Sequence, residues 1–256
     1  VSINANGGQL NINPVSANLY EGTYKGNIGL NAKGKVPTLS LNSTLTNINA
    51  APLMMDTVQS KDIAGIANFD AKLTAKGNNS DALVKSLNGP AKFSVKNGIY
   101  RGVDIPSVLQ QVEVMIESKR PGSIKKDGET KFESLSGTIN FKNGVAQNND
   151  LLLDGSGFKV TGKGMIANLH NNTMKYDAKV RVDEKSATQG EKNYNLGGYK
   201  IPIKCRGQIG GSACKPDIGD LVGELAKNQV KEKVQEKLED AIGDKVGDKL
   251  KDLFKF

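Results

Sequence analysis

The chain has 256 residues, of which 37% are hydrophobic and 5% aromatic, with 29 Gly, no Trp and a single His. That apolar fraction is enough to fold. One imidazole and no indole exclude a multi-histidine metal centre, a Ser-His-Asp hydrolase with histidine to spare, and an aromatic base-stacking platform.

The net charge of +8 is unevenly spread. Residues 216–256 hold 8 Lys against 10 Asp plus Glu, a net −2, which leaves +10 on the first 215 residues. The basic residues are mostly single, with Lys119-Arg120 and Lys125-Lys126 the only doublets of that body. Scattered cations predict solubility and no nucleic-acid partner. No stretch approaches the roughly 18 uninterrupted apolar residues of a membrane span. The chain starts at Val1 and not at Met, which predicts either a removed targeting segment or an excised piece of something longer.

In chain order, period-two alternation first shows at Leu39, Leu41 and Leu45, then at Phe69, Ala71, Leu73 and Ala75. Later runs include Phe93, Ile139 with Phe141, Phe158 with Val160, and Met174, Tyr176, Ala178, Val180 and Val182. Such alternation means strands with one buried and one solvated face. Asn97-Gly98 and Asn143-Gly144 each lie between strand-like runs, and Asn-Gly supplies the positive φ of a two-residue hairpin.

Short helices are predicted over 50–58, over 80–87 with Ser80 as N-cap, and over 104–117. The last has Asp104 as cap, Pro106 in its first turn and a stripe of Val108, Leu109, Val112, Met115 and Ile116. A weak repeat sets Lys85-Ser86-Leu87-Asn88-Gly89, leading to Phe93 and Asn97-Gly98, against Glu133-Ser134-Leu135-Ser136-Gly137, leading to Phe141 and Asn143-Gly144. Reuse of one β unit predicts strands added along an axis, and so an elongated sheet.

From Pro216 onward the pattern turns helical, with apolar residues at Ile218, Leu221, Val222 and Leu225, then at every fourth position from Val230 to Phe254. A straight helix would smear that stripe, so two or three helical pieces re-phased at Gly243 and Gly247 are expected. Lys and Glu alternate on the other face, which predicts packing against the β body or a neighbouring copy, not against a membrane. The predicted fold is thus mainly β: an elongated, curved, groove-like antiparallel sheet over 1–215 and an amphipathic helical segment over 216–256.

The chemistry-bearing residues make no constellation. His170 sits in a polar turn without acids or thiols at ligand spacing, and Asp183-Glu184 and Glu239-Asp240 are sequence neighbours pointing apart. The glycines from Gly207 to Gly211 lack the Gly-Lys-Ser/Thr of a phosphate loop. No catalytic residue, metal or cofactor is assigned, and the chain is read as not an enzyme. Cys205 and Cys214, with eight residues between them, make either a local disulfide or two idle thiols. The disulfide is favoured; it would stabilise the fold by about 2.5–3 kcal/mol and would mark an oxidising compartment.

Geometry remains. A dozen strands at about 4.8 Å spacing span roughly 60 Å, against about 15 Å for one acyl chain. An apolar strand face could therefore shelter lipid tails, although an ordinary sandwich core would show the same alternation. Its candidate residues are Leu39, Leu41, Phe69, Leu73, Phe93, Ile139, Phe141, Phe158, Val160, Met174 and Tyr176.

The order of phrases resembles the C-terminal region of the AsmA family of Gram-negative envelope proteins. It runs through Ala17-Asn18-Leu19-Tyr20-Glu21-Gly22, Ala50-Ala51-Pro52-Leu53-Met54, Leu87-Asn88-Gly89 and Asn97-Gly98-Ile99-Tyr100-Arg101-Gly102. It continues through Thr130-Lys131-Phe132, Leu135-Ser136-Gly137, Asp150-Leu151-Leu152-Leu153, Gly162-Lys163-Gly164 and Ile201-Pro202-Ile203 to the Lys/Glu/Leu-rich end. The resemblance implies a periplasmic protein held in the inner membrane by an N-terminal anchor that this chain lacks. It also implies a β-groove related to bridge-like lipid transporters, with phospholipid or another envelope lipid as partner and outer-membrane proteins as the alternative. The family brings no catalytic residues to carry over.

Overall fold

Strand alternation resolves into one sheet. A computed structural model describes residues 1–118, 128–183, 198, 200–208 and 213–217. The strands are β1 (Ile3–Asn6), β2 (Gln9–Leu19), β3 (Gly22–Asn31), β4 (Thr38–Asn49), β5 (Ile63–Lys76) and β6 (Gly89–Arg101). They continue as β7 (Glu129–Lys142), β8 (Val145–Gly155), β9 (Phe158–Asn168), β10 (Thr173–Val182), β11 (Lys200–Gln208) and β12 (Ala213–Pro216). All twelve lie in sequence order in a single sheet, and the pairings from β1 through β11 are antiparallel. The order is linear and open. The chain divides into two compact units, Val1–Lys215 and Pro216–Phe256. The helical reading of the second unit lies outside the described residues.

Among the described residues three helices interrupt the meander: α1 (Ala50–Val58), α2 (Ser80–Lys85) and α3 (Ile105–Ser118). In α1, Asn49 caps the first turn through Ala51 N–H (3.3 Å) and Gln59 closes the helix in the left-handed region at φ 54°. The Tyr20 hydroxyl donates to Asp56 (2.7 Å), tying the β2–β3 turn to α1. The N-cap of α2 is Asn79 and not Ser80: the Asn79 carboxamide oxygen accepts from Ala82 N–H at 2.8 Å. Asparagine reaches the third amide of the first turn from an extended backbone, and that places the boundary one residue earlier.

In α3, Asp104 caps as expected, accepting from Ser107 N–H at 3.0 Å. Ile105, Val108, Leu109 and Val112 are buried, and Val114 faces out. The side chains of Met115 and Ile116 lie outside the described residues. Thr130, fully buried, holds the helix start to β7: its hydroxyl accepts from Ile105 N–H (3.0 Å) and donates to the Val103 carbonyl (2.6 Å).

The two Asn-Gly pairs behave differently. Asn143-Gly144 forms the expected turn between β7 and β8, with φ of 47° and 72°, the signature of a type I′ hairpin. Asn97-Gly98 makes no hairpin: β6 runs straight through it, from Gly89 to Arg101. Asn97 is left-handed (φ 48°), and the register against β5 shifts between Ala64 and Ile66, so the extra residue is taken up as a bulge. Gly98 is required there for space. A Cβ on it would lie 2.2 Å from the Phe132 ring of the opposing strand. The internal repeat is not structural either, since Leu87-Asn88-Gly89 leads from α2 into β6 whereas Leu135-Ser136-Gly137 lies within β7.

Candidate functional site

One face of the sheet is apolar in register. Ile48, Ala67, Val95, Leu135, Leu153, Val160, Val180 and Ile201 stand directly opposite one another, strand by strand, from β4 to β11. Directly opposed β-branched and aliphatic pairs are the stabilising unit of a sheet. Apart from Ala67, each member of this row is at most 7% exposed. On β4 the row begins at Ile48, next to α1, and α1 and α3 pack at that end, against β4 and β5 and against β7 respectively.

Nearer the opposite end the larger side chains of the same face are half-buried, while Ala71, Ala75 and Ala91 between them are at most 4% exposed and α2 packs against β5. Ile12, Ile28, Leu41 and Leu73 form one row across β2 to β5. Tyr24, Leu45, Phe69 and Phe93 form another across β3 to β6, ending on Gly137, where a Cβ would lie 3.0 Å from the Phe93 ring.

Of the eleven sequence candidates, eight lie half-buried on this face: Leu39, Leu41, Phe69, Leu73, Phe93, Ile139, Phe141 and Met174. The other three, Phe158, Val160 and Tyr176, are 3%, 7% and 7% exposed, and so belong to packed interior. Alternation placed these residues on one side of the strands but could not grade their exposure along the sheet.

Inside the packed part lies a polar cluster that sequence reasoning missed. Asn148 is 1% exposed; its amide donates to the Thr138 carbonyl (3.0 Å) and to Asp150 (2.8 Å), and its oxygen accepts from the Tyr176 hydroxyl. Asp150 also accepts from Thr138 N–H at 2.7 Å. The cluster fills the double irregularity where β8 shifts register against both β7 and β9. Burial, and then the Asp150 charge, push the Tyr176 phenol far above its ordinary value. For Asp150, desolvation acts upward, but the hydrogen bonds from Thr138 and Asn148 outweigh it and hold the carboxyl below its usual range. The signal in the sequence was the polar run Asn148-Asn149-Asp150 inside an otherwise alternating strand. Asn148→Ala would strand the Tyr176 hydroxyl and the Thr138 carbonyl. It is expected to cost about 2 kcal/mol, read from the urea unfolding midpoint.

His170 is in the turn between β9 and β10 as expected, its Nε2 2.7 Å from the Asn143 carbonyl. Cys205 is buried on β11, and Cys214 lies on β12, the neighbouring strand in the sheet. Among the described residues no group of three or more His, Cys, Asp or Glu is placed to hold a metal ion, and no helix is long and apolar enough to cross a membrane.

Against this geometry, the model of the AsmA family matches residues 1–151, more than half of the chain. The chain belongs to the AsmA family. Comparisons with curated proteins and with solved structures return no match. The matched stretch covers β1 through most of β8 and so includes every half-buried row described above. AsmA membership, together with an open β-sheet, fits a role in lipid transport or outer-membrane biogenesis and an envelope location.

Proposed function

We propose that this AsmA chain is a non-enzymatic periplasmic domain that holds lipid acyl tails along the half-buried rows of its sheet, supporting phospholipid transport to the outer membrane or its lipid homeostasis. In the longer protein an N-terminal anchor would fix it to the inner membrane. The observation that carries the proposal is the in-register apolar face of an open sheet, buried toward α1 and α3, with the larger side chains of its Leu41 and Phe93 rows half-exposed. A fully buried methylene contributes about 0.8 kcal/mol and one covered on a single side about half of that, so a tail crossing three or four strands is held without any polar group specific to it. Phe158, Val160 and Tyr176 then act as the packed floor, and the other eight candidates as the contact surface. Organic extraction of the purified protein followed by mass spectrometry tests this. Phospholipid is expected, and a lipid-free protein would count against it.

The Cys205–Cys214 disulfide is part of the same proposal, supported by the adjacency of β11 and β12 and by the absence of a free cysteine among the described residues. Titration of the denatured, non-reduced protein is expected to find no thiols. Reduction is expected to lower stability by about 2.5–3 kcal/mol.

A further inference from the structure

The apolar side of β9, β10 and β11 is buried, which leaves their other side to solvent, and that side is strongly basic. Lys159 and Lys163 on β9, Lys175, Lys179 and Arg181 on β10, and Lys200 on β11 are all exposed. Arg181 stands directly opposite Lys159 on one side and Lys200 on the other. Like charges so placed are destabilising.

The acids on this face are already engaged. Asp154 pairs with Lys159 at 2.8 Å, Asp177 pairs with Arg206 and stands directly opposite Lys163 and Lys204, and Asp183 and Glu133 add their charges near Lys159. Lys163, Lys175, Lys179, Arg181 and Lys200 have no ion-pair partner among the described residues.

We propose that this face of β9–β11 docks onto a layer of anionic phospholipid headgroups. The site is independent of acyl tails on the opposite, apolar face. Strands about 4.8 Å apart, with alternate residues about 6.8 Å apart, set the cations on a two-dimensional grid. A layer of phosphates meets several strands of such a grid at once even across the sheet's twist, whereas a single nucleic-acid strand meets only one line of it. No aromatic side chain stands on this face to stack a base. Contact with an anionic layer also relieves the repulsion within the Lys159–Arg181–Lys200 row.

Sedimentation with vesicles tests this. The protein is expected to bind vesicles of phosphatidylethanolamine and phosphatidylglycerol in equal parts and not vesicles of phosphatidylethanolamine and phosphatidylcholine. Binding should fall as salt shortens the screening length from about 10 Å at 0.1 M to about 3 Å at 1 M. Lys179→Glu with Arg181→Glu is expected to reduce partitioning at least roughly twentyfold, at about fivefold per cation removed. The matched reversal of Lys25 and Lys72, on the same polar side but on β3 and β5, should keep most of it.

Arg181→Glu alone removes the repulsion against Lys200, whereas Lys159 already has Asp154 as partner. It should weaken vesicle binding about fivefold or more while leaving the melting temperature within roughly 2 °C of the parent, which separates loss of the surface from misfolding. Equal binding to neutral vesicles, equal loss in the Lys25/Lys72 variant, or tighter binding to duplex DNA at the same phosphate concentration would each overturn the assignment. A variant stripped of tail contacts at Leu41 and Phe93 should still bind anionic vesicles, which separates failure of this surface from failure of the apolar face.

Discussion

Protein carrying Leu41→Asp and Phe93→Asp is expected to co-purify with roughly tenfold less phospholipid than the parent, while still unfolding cooperatively. Both side chains are half-buried, so each new carboxylate can turn toward water and stay hydrated. The cost to folding should therefore remain about 1–2 kcal/mol per site. A lipid tail lying across the same positions would have to cover two charges, and the apolar path through the Leu41 and Phe93 rows would be interrupted twice. Asn42→Asp is the control, since Asn42 neighbours Leu41 on β4 but is exposed on the opposite face. It should leave lipid content unchanged. Extracted phospholipid per mole of protein is the measurement, and unchanged content in the double variant would sink the tail-binding proposal.

A carboxylate in the packed row should act in the opposite way. Val180 is 1% exposed and stands between Val160 and Ile201. Asp at this position has no hydrogen-bond donor among its opposed neighbours and no route to solvent, and so carries the full penalty of a buried, unpaired charge. Val180→Asp is expected to cost about 4 kcal/mol or more, on the order of half of a typical domain's stability. Urea denaturation followed by circular dichroism should show the midpoint falling far more than in Leu41→Asp. Comparable shifts in the two variants would mean that the apolar face is equally open along its whole length.

The differing fates of Asn143-Gly144 and Asn97-Gly98 show where local sequence stops being informative. Asn-Gly lowers the cost of a positive φ, and both a type I′ turn and a bulge use one. What decides between them is the chain on either side. After Gly144 the chain returns immediately as β8, whereas after Gly98 it stays paired with β7, with the Phe132 ring occupying the space a side chain would need. The helices were more legible because their signals are local. The expected bounds of α1 match those observed, and Asp104 capped α3 as its position predicted, while α2 ends at Lys85, two residues short of the expected 87, and takes Asn79 as its cap in place of the adjacent Ser80.

The sequence by itself determined the mainly antiparallel β character, the face on which the alternating apolar residues lie and the short helices among the described residues. Each follows from periodicity, turn chemistry or residue type within a short window. Only the tertiary structure decided how far that face is covered. Leu41 and Val160 alternate identically in sequence, yet one is half-buried and the other nearly sealed, because coverage depends on what lies across from a strand. The same holds for the basic face of β9–β11. Its cations are scattered singly along the chain, and pairing register alone brings Lys159, Arg181 and Lys200 into one row.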